Sequence, residues 1–405
     1  MTDTIAPSLS AGEALSSNEY IRRRNLSAVL TLLHYGGPAS RAEVGRQTGL
    51  TRSTITGIVA ELAELGLVRE GEAPSATGRA GRPSSNIEVN SDVAVLSVHP
   101  DTDAITVALV GLGGEVLARL RHNTSSILDA KRMVRTVDTL VETMRADIDR
   151  HYRLVGVGLG VPGLVRETDG RVLIAPHLKW KNEDIAQNLS RTLGLPVVAG
   201  NDASLGALAE FRFGAGAGAR DLLFVNGTTS GIGGGVVIGG TLLSGTEGYA
   251  GEMGHTLVRS DGKRCYCGRT GCLEAEVSLT NLMPFLRSGT IDEDELDIEL
   301  GVARDPKLLA EVARQVELLS EALTNFVNLF NPEVVILGGY LGALLSVSRE
   351  RLTEAVRVRP LGGEARTIRL ERARLRSRLM LIGPAELAFG RLLNDPASFV
   401  FPTSV

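Results

Sequence analysis

The chain has 405 residues, 43 basic and 47 acidic, for a net charge of −4, and 43% of it is apolar. That length allows two or three domains with a large buried core, and the composition excludes a wholly disordered or fibrous chain. No apolar run approaches the ~18 residues of a membrane-spanning helix, and the N-terminus lacks both a basic start and an apolar stretch, so no membrane association and a cytoplasmic location are expected. The 47 glycines exceed the usual share of about 7%, which implies tight turns or ligand-cradling loops. Three cysteines are too few and too close for a disulfide framework: Cys265, Cys267 and Cys272 fall in one short stretch, where metal binding is the better expectation.

In chain order, residues 1–18 read as a flexible N-terminus and 19–90 as an α+β winged helix-turn-helix domain. Ile21, Leu26, Val29, Leu30 and Leu33 recur at helical spacing over 20–34, and Gly36, Gly37 and Pro38 end that helix. Ser40 with Glu43 forms a capping box for a short helix through Gln47, Gly49 supplies the turn, and Thr51 caps a longer helix over 52–65. That third helix opens with Arg52, Ser53, Thr54 and Thr56, side chains able to reach phosphates and base edges. Two short strands, 67–69 and Asn86–Val89, flank a wing whose tip carries Arg79 and Arg82 with no nearby acid, suited to a minor groove. Six Arg against two Glu between Glu19 and Thr56 agree with an anionic partner. The expected partner is double-stranded operator DNA, contacted through Arg41, Thr51, Arg52, Ser53, Thr54, Thr56, Arg79 and Arg82.

From Val93 the chain alternates apolar strands and amphipathic helices, as an α/β architecture does. Strands over 93–98, 105–110 and 115–120 open one lobe as a meander, followed by a helix over 128–148 and a strand over 155–161. Helix Ile185–Leu193, a strand over 197–199 and a helix over 204–213 follow; strands 222–226 and 234–238 begin a second lobe of the same character, so the two could be distant duplicates. One long helix, Pro306–Phe330, feeds a strand over 334–337. The domain 91–405 divides into lobe one, 91–200 plus the C-terminal helix 383–394, and lobe two, 201–382.

His255, Cys265, Cys267 and Cys272 supply three thiolates and one imidazole, the closed tetrahedral donor set of a structural zinc, one per chain. Asn201 and Asp202 follow a strand and precede a helix, while Glu252 and Glu274 bracket the metal stretch. Acceptors of this kind, with one amide donor, suit a polyhydroxylated ligand such as a sugar, although any one alone would more often be a cap or a surface acid.

Gly251-Glu252-Met253-Gly254-His255, then Cys265-Tyr266-Cys267-Gly268 and Gly271-Cys272-Leu273-Glu274, resemble the signature of the ROK family (repressor, open reading frame, kinase). The likeness spans about 93–393 and includes Val161-Pro162-Gly163, Asn201-Asp202, Gly231-Ile232-Gly233 and the stretch from Asn331 to Gly339. With a winged helix in front, the chain resembles that family's transcriptional repressors. The resemblance implies an actin/hexokinase-like fold of two lobes, with sugar hydroxyls held in the cleft by Asn201, Asp202, Glu252, His255 and Glu274. His255 would serve metal and sugar through different ring nitrogens. Asp202 stands at the general-base position of the family's kinases.

Those kinases open with an Asp-x-Gly-Gly-Thr phosphate loop, whereas this chain has His99-Pro100-Asp101-Thr102-Asp103, and its second phosphate loop reads Thr229-Ser230-Gly231-Ile232-Gly233. With the glycines gone and two aspartates to repel phosphates, the ATP cradle is expected to be lost and the domain not to be an enzyme. The expected function is a DNA-binding transcriptional regulator, a repressor of carbohydrate-metabolism genes responding to a sugar or sugar phosphate, acting as a homodimer or homotetramer. Two alternatives stand beside it: a sugar kinase that also binds DNA, and a ligand-independent DNA-binding protein with a vestigial cleft.

Overall fold

The computed structural model describes residues 16–71, 86–287, 293–363 and 366–402. They divide into two compact units, one comprising the chain up to Asn90 together with Gly390–Val400, the other Ser91–Phe389 with the residues from Phe401 onward. No helix among the described residues is long and apolar enough to cross a membrane.

In the first unit, helix α1 (Ser17–Gly36) begins inside the stretch expected to be flexible, because Ser16 caps it by accepting from the Glu19 N–H. Leu26, Val29, Leu30 and Leu33 are fully buried, but Ile21, expected to face inward, is 54% exposed. Strand β1 (Ala39–Ser40) leads into α2 (Arg41–Thr48), which ends on Gly49 in the left-handed region. Thr51 caps α3 (Arg52–Glu64), which buries Ile55, Ile58, Val59 and Leu62 as its spacing requires. Strands β2 (Val68–Glu70) and β3 (Asn86–Val89) complete a three-stranded sheet in the order β1-β3-β2. The wing arginines Arg79 and Arg82 lie outside the described residues. Residues 390–400, expected within the sensor domain, belong to this unit instead: Ser27 donates to the Leu393 carbonyl at 2.7 Å, and Arg23 pairs with Asp395 at 3.1 Å.

The second unit holds two five-stranded sheets. The first begins with the meander β4 (Val93–Pro100), β5 (Ala104–Gly111) and β6 (Val116–Asn123), then helix α4 (Ala130–His151) and β7 (Arg153–Val161). A small sheet of β8 (Leu164–Arg166), β9 (Arg171–Ala175) and β10 (Trp180–Glu183) follows, then α5 (Ile185–Leu193) and β11 (Val197–Asn201), giving the order β11-β7-β4-β5-β6. Helix α6 (Asp202–Phe213) leads to the second meander, β12 (Leu222–Thr228), β13 (Gly231–Ile238) and β14 (Thr241–Leu242). Short helices α7 (Leu273–Glu276), α8 (Leu279–Leu282) and α9 (Glu293–Gly301) precede α10 (Pro306–Phe330) and β15 (Val334–Gly339). The chain closes with α11 (Tyr340–Val347), α12 (Arg349–Arg357), β16 (Arg369–Arg372) and α13 (Leu379–Asn394), and the second sheet has the order β14-β13-β12-β15-β16.

The second sheet repeats the first strand for strand. In each, the opening strand pairs antiparallel with the next, which pairs antiparallel with the third, while two later strands add in parallel on the other side. This is the two-lobed actin-like fold of sugar kinases. Helix α13 starts in the second lobe, where Leu379 and Ile382 join the core of Phe224, Val237 and Ile336. It then crosses β7 so closely that a Cβ on Gly158 would lie 1.8 Å from the Pro384 carbonyl oxygen. Only glycine fits there.

Candidate effector and metal site

The carboxyl ends of β4, β7 and β11 and the β12–β13 turn converge on a cavity of about 710 Å3, within the range of small-molecule sites. Its lining includes each sugar-site residue expected from the sequence: Asn201, Asp202, Glu252, His255 and Glu274. Asn201 ends β11 and caps α6, accepting from the Ser204 N–H at 2.9 Å while its amide donates to the Gly163 carbonyl at 3.0 Å. One amide hydrogen remains for a ligand. Asp202 opens α6, where Oδ1 accepts from the Ala203 N–H at 2.7 Å and Oδ2 lies 3.6 Å from His99 Nε2. Burial holds the Glu252 carboxyl above the usual carboxylate range, His255 opposing and Glu274 and Asp202 reinforcing the shift.

His255 ends a single turn, Met253–His255, and turns its two nitrogens to different neighbours. Nδ1 lies 3.6 Å from Cys265 Sγ and 3.3 Å from Glu274 Oε1; Nε2 lies 3.2 Å from the Tyr266 hydroxyl and 3.9 Å from Glu252. The donor atoms of His255, Cys265, Cys267 and Cys272 all lie within 4.8 Å of one another. Cys267 and Cys272 sulfurs are 3.7 Å apart. A tetrahedral zinc with Zn–S of about 2.3 Å and Zn–N of about 2.05 Å requires S···S edges of about 3.8 Å and S···N edges of about 3.6 Å. The cluster could therefore hold such an ion with little rearrangement. Glu274 Oε1 accepts from the Cys265 thiol at 2.9 Å, and burial together with that carboxylate pushes this thiol well up. Burial also raises Cys272, whereas the Arg269 backbone N–H holds Cys267 below its ordinary value.

The loop doubles back through Gly271, whose φ is 78° and whose added Cβ would meet the Arg259 carbonyl oxygen at 1.6 Å. Glu276, a buried acid the sequence reading passed over, anchors its base, accepting from the Lys263 N–H and pairing with Arg314 at 3.1 Å. Also unforeseen as cavity residues are His99, His177 and Tyr266. His177 packs edge-on against the Tyr266 ring at 5.4 Å, and Tyr266 against His255 at 5.2 Å. Tyr266 lies between two of the cysteines, whereas His99 on β4 and His177 in the turn Pro176–Leu178 are brought in from positions far apart in sequence, which no spacing rule marks.

The described residues expected from the sequence to contact DNA lie in the first unit. Arg52, Ser53 and Thr56 are exposed on one face of α3, alongside Gly57 and Ala60, which leave that face low and open. Thr51 and Thr54 are drawn into the cap: Thr51 Oγ1 accepts from the Thr54 N–H and bonds its hydroxyl at 2.9 Å. Arg41 is paired with Glu70 at 2.6 Å, and Arg22 and Arg23 with Glu19, so much of the local positive charge is internally balanced. Among the described residues Arg46 and Arg52 pair with no carboxylate, and both are exposed.

A profile described as the ROK family matches residues 96–390, and one described as the MarR family matches 26–80. The chain is 26% identical over 399 residues, covering 94% of it and 99% of the relative, to a xylose repressor of Caldicellulosiruptor bescii. Among solved structures it resembles a ROK family transcriptional regulator, a homolog of the E. coli MLC protein, with a TM-score of 0.75 at 27% identity, covering 93% of this chain and 97% of that one. It also resembles a ROK family glucokinase from Streptomyces griseus in complex with glucose and AMPPNP, with a TM-score of 0.62 at 27% identity over 73% of this chain and 99% of that one. With this family's profile matching well over half of its length and both lobes in place, the chain belongs to the ROK family.

Proposed function

We propose that the chain is a sugar-responsive transcriptional repressor whose kinase-like domain senses its ligand without phosphorylating it. One observation carries this reading. The cavity keeps Asn201, Asp202, Glu252, His255 and Glu274, while the β4–β5 turn that would cradle ATP phosphates is spent on itself. There the Asp101 N–H donates to the Ala104 carbonyl at 2.8 Å and the Thr102 N–H to the Asp101 carboxylate at 2.7 Å. Phosphoryl transfer rests on positioning and charge neutralisation, and this turn offers carboxylates where it needs amide donors. The relatives named as repressors support the same reading.

In this mechanism sugar binds the closed cleft better than the open one and shifts the population toward closure. A homodimer or homotetramer would convert that shift into a changed spacing of two recognition helices, mismatching operator half-sites about 34 Å apart. Arg52, Ser53 and Thr56 would read the major groove, with Thr51 and Thr54 shaping the start of that helix, Arg41 at the start of α2 as a further contact, and Arg79 and Arg82 entering a minor groove. A zinc held by His255, Cys265, Cys267 and Cys272 would fix the loop that presents His255 and Glu274 to the sugar.

Asp202→Ala tests the reading in the zinc-loaded full chain. Operator affinity without sugar should stay near the native value, while leaving a sugar hydroxyl unpaired should weaken sugar binding about ten- to a hundredfold. Release of the variant from operator at the native sugar concentration would move the effector site elsewhere. Sustained ATP turnover requiring both sugar and Asp202 would restore the bifunctional kinase.

A further inference from the structure

The cavity has two unlike walls. One is the acceptor set of Asn201, Asp202, Glu252 and Glu274. The other is an apolar shelf. Leu164 and Ile174 stand opposite each other in the β8–β9 ladder and line the cavity, whereas Val165 and Val172 of the same hairpin go into the core of the first lobe. Pro176 and His177 extend the shelf beyond β9, and Tyr266 joins it from the cysteine loop. Ile174 is 41% exposed and Tyr266 56%. Apolar side chains left open to water on the wall of a concave site are characteristic of surface that a ligand covers.

The shelf is continuous with the acceptor set and held in place. The Tyr266 hydroxyl lies 3.2 Å from His255 Nε2, and the Glu252 carboxylate 3.9 Å from the same nitrogen. The Tyr266 ring meets the His255 and His177 rings edge-on, at 5.2 and 5.4 Å. Its backbone lies in a turn closed by the Gly268 N–H donating to the Cys265 carbonyl at 3.1 Å. A ring already fixed at both ends loses little freedom when a ligand lies on it. A ligand seated on the acceptors and too long for them would therefore run onto Tyr266 and Ile174. A second pyranose ring suits that surface: its C–H face is apolar, while its rim of hydroxyls can reach the Tyr266 hydroxyl and the Glu252 carboxylate, which a hydrocarbon ring would leave unanswered.

We infer that the effector is a disaccharide or longer oligosaccharide, with one ring on the acceptor set and the next lying on Ile174 and Tyr266. The inference rests on the sugar-sensor reading above and names the class of sugar.

The test is calorimetric titration of the zinc-loaded full chain with single sugars and their dimers: xylose and xylobiose, glucose with cellobiose and maltose, N-acetylglucosamine and diacetylchitobiose. Of the sugars that bind, a disaccharide should bind at least about tenfold more tightly than its monosaccharide. Ile174→Ala and Tyr266→Ala should each bring that ratio toward one, while Tyr266→Phe, which keeps the ring, should retain most of it. Elemental analysis checks that the Tyr266 variants still hold zinc; where they do not, Ile174→Ala, remote in sequence from the cluster, decides. Disaccharides that bind no better than their monosaccharides, or a ratio untouched in Ile174→Ala, overturn this inference while leaving the sugar site standing. So does a phenyl glycoside that binds more tightly than every disaccharide, which would give the shelf to an aryl group. Failure of every one of these ligands to bind overturns the sugar-sensor reading as well.

Discussion

His255 belongs both to the cysteine cluster and to the cavity lining, because imidazole has two nitrogens to present. Nδ1 turns to the cysteine cluster and Nε2 toward the cavity, so a metal on one side fixes the direction of the other. The Glu274 carboxylate, shared between Cys265 and His255, is held at the same junction. Cys267 is the exposed member of the cluster, which makes it the cleanest to replace. Cys267→Ser should lower zinc content well below one per chain by elemental analysis and destabilise the second unit, because metal-binding free energy becomes folding free energy in such loops. Full zinc occupancy in that variant would refute the ligand set.

At the scale of single elements, α3 presents its exposed side as a row of mostly small groups. With Arg52, Ser53, Thr56, Gly57 and Ala60 exposed and four aliphatic residues buried opposite, the helix can approach a groove floor closely. Arg52→Ala should cost about 1–3 kcal/mol of operator affinity and relax preference at one base position, measured by competition binding. Arg46→Ala, at an exposed arginine on α2, should instead weaken all sequences alike and lower the salt slope by about one. Equal losses on operator and random DNA in both variants would remove Arg52 from base reading. Helices of this kind were legible because their ends are marked: Ser40 and Thr51 accept the capping bonds expected of them, and Ile185–Leu193 and Pro306–Phe330 coincide with the apolar spacing. The four-residue helices α7 and α8 and the strands β8–β10 were not, being shorter than a period can show. In the site, the cysteine spacing and the acids beside it could be read directly. The approach of His99 to Asp202 could not, since it joins the end of β4 to the start of α6, far apart in sequence.

At the scale of the second unit, two copies of one sheet topology flank a cavity at the ends of their strands, and α13 packs against both lobes. Its first turn lies in the core of the second lobe, Pro384 seats against Gly158 of the first, and its last residues from Gly390 count with the winged-helix unit. A ligand bound only by the folded cleft must stabilise it by mass action, about 2.7 kcal/mol at a hundredfold excess over Kd. For a unit of this size that amounts to a rise in Tm of about 5 °C, read by calorimetry with the effector sugar and absent in Asp202→Ala. A Tm unmoved by every sugar would favour the ligand-independent reading.

The shared histidine has a genetic consequence. Because one residue belongs to both the cysteine cluster and the cavity wall, a collection of mutants selected for failure to induce would be expected not to map to the cavity alone. Changes at Cys265 and Cys272, which touch no ligand, would score alongside changes at Asp202, and supplying excess zinc during growth would rescue partial losses in the first group but none in the second.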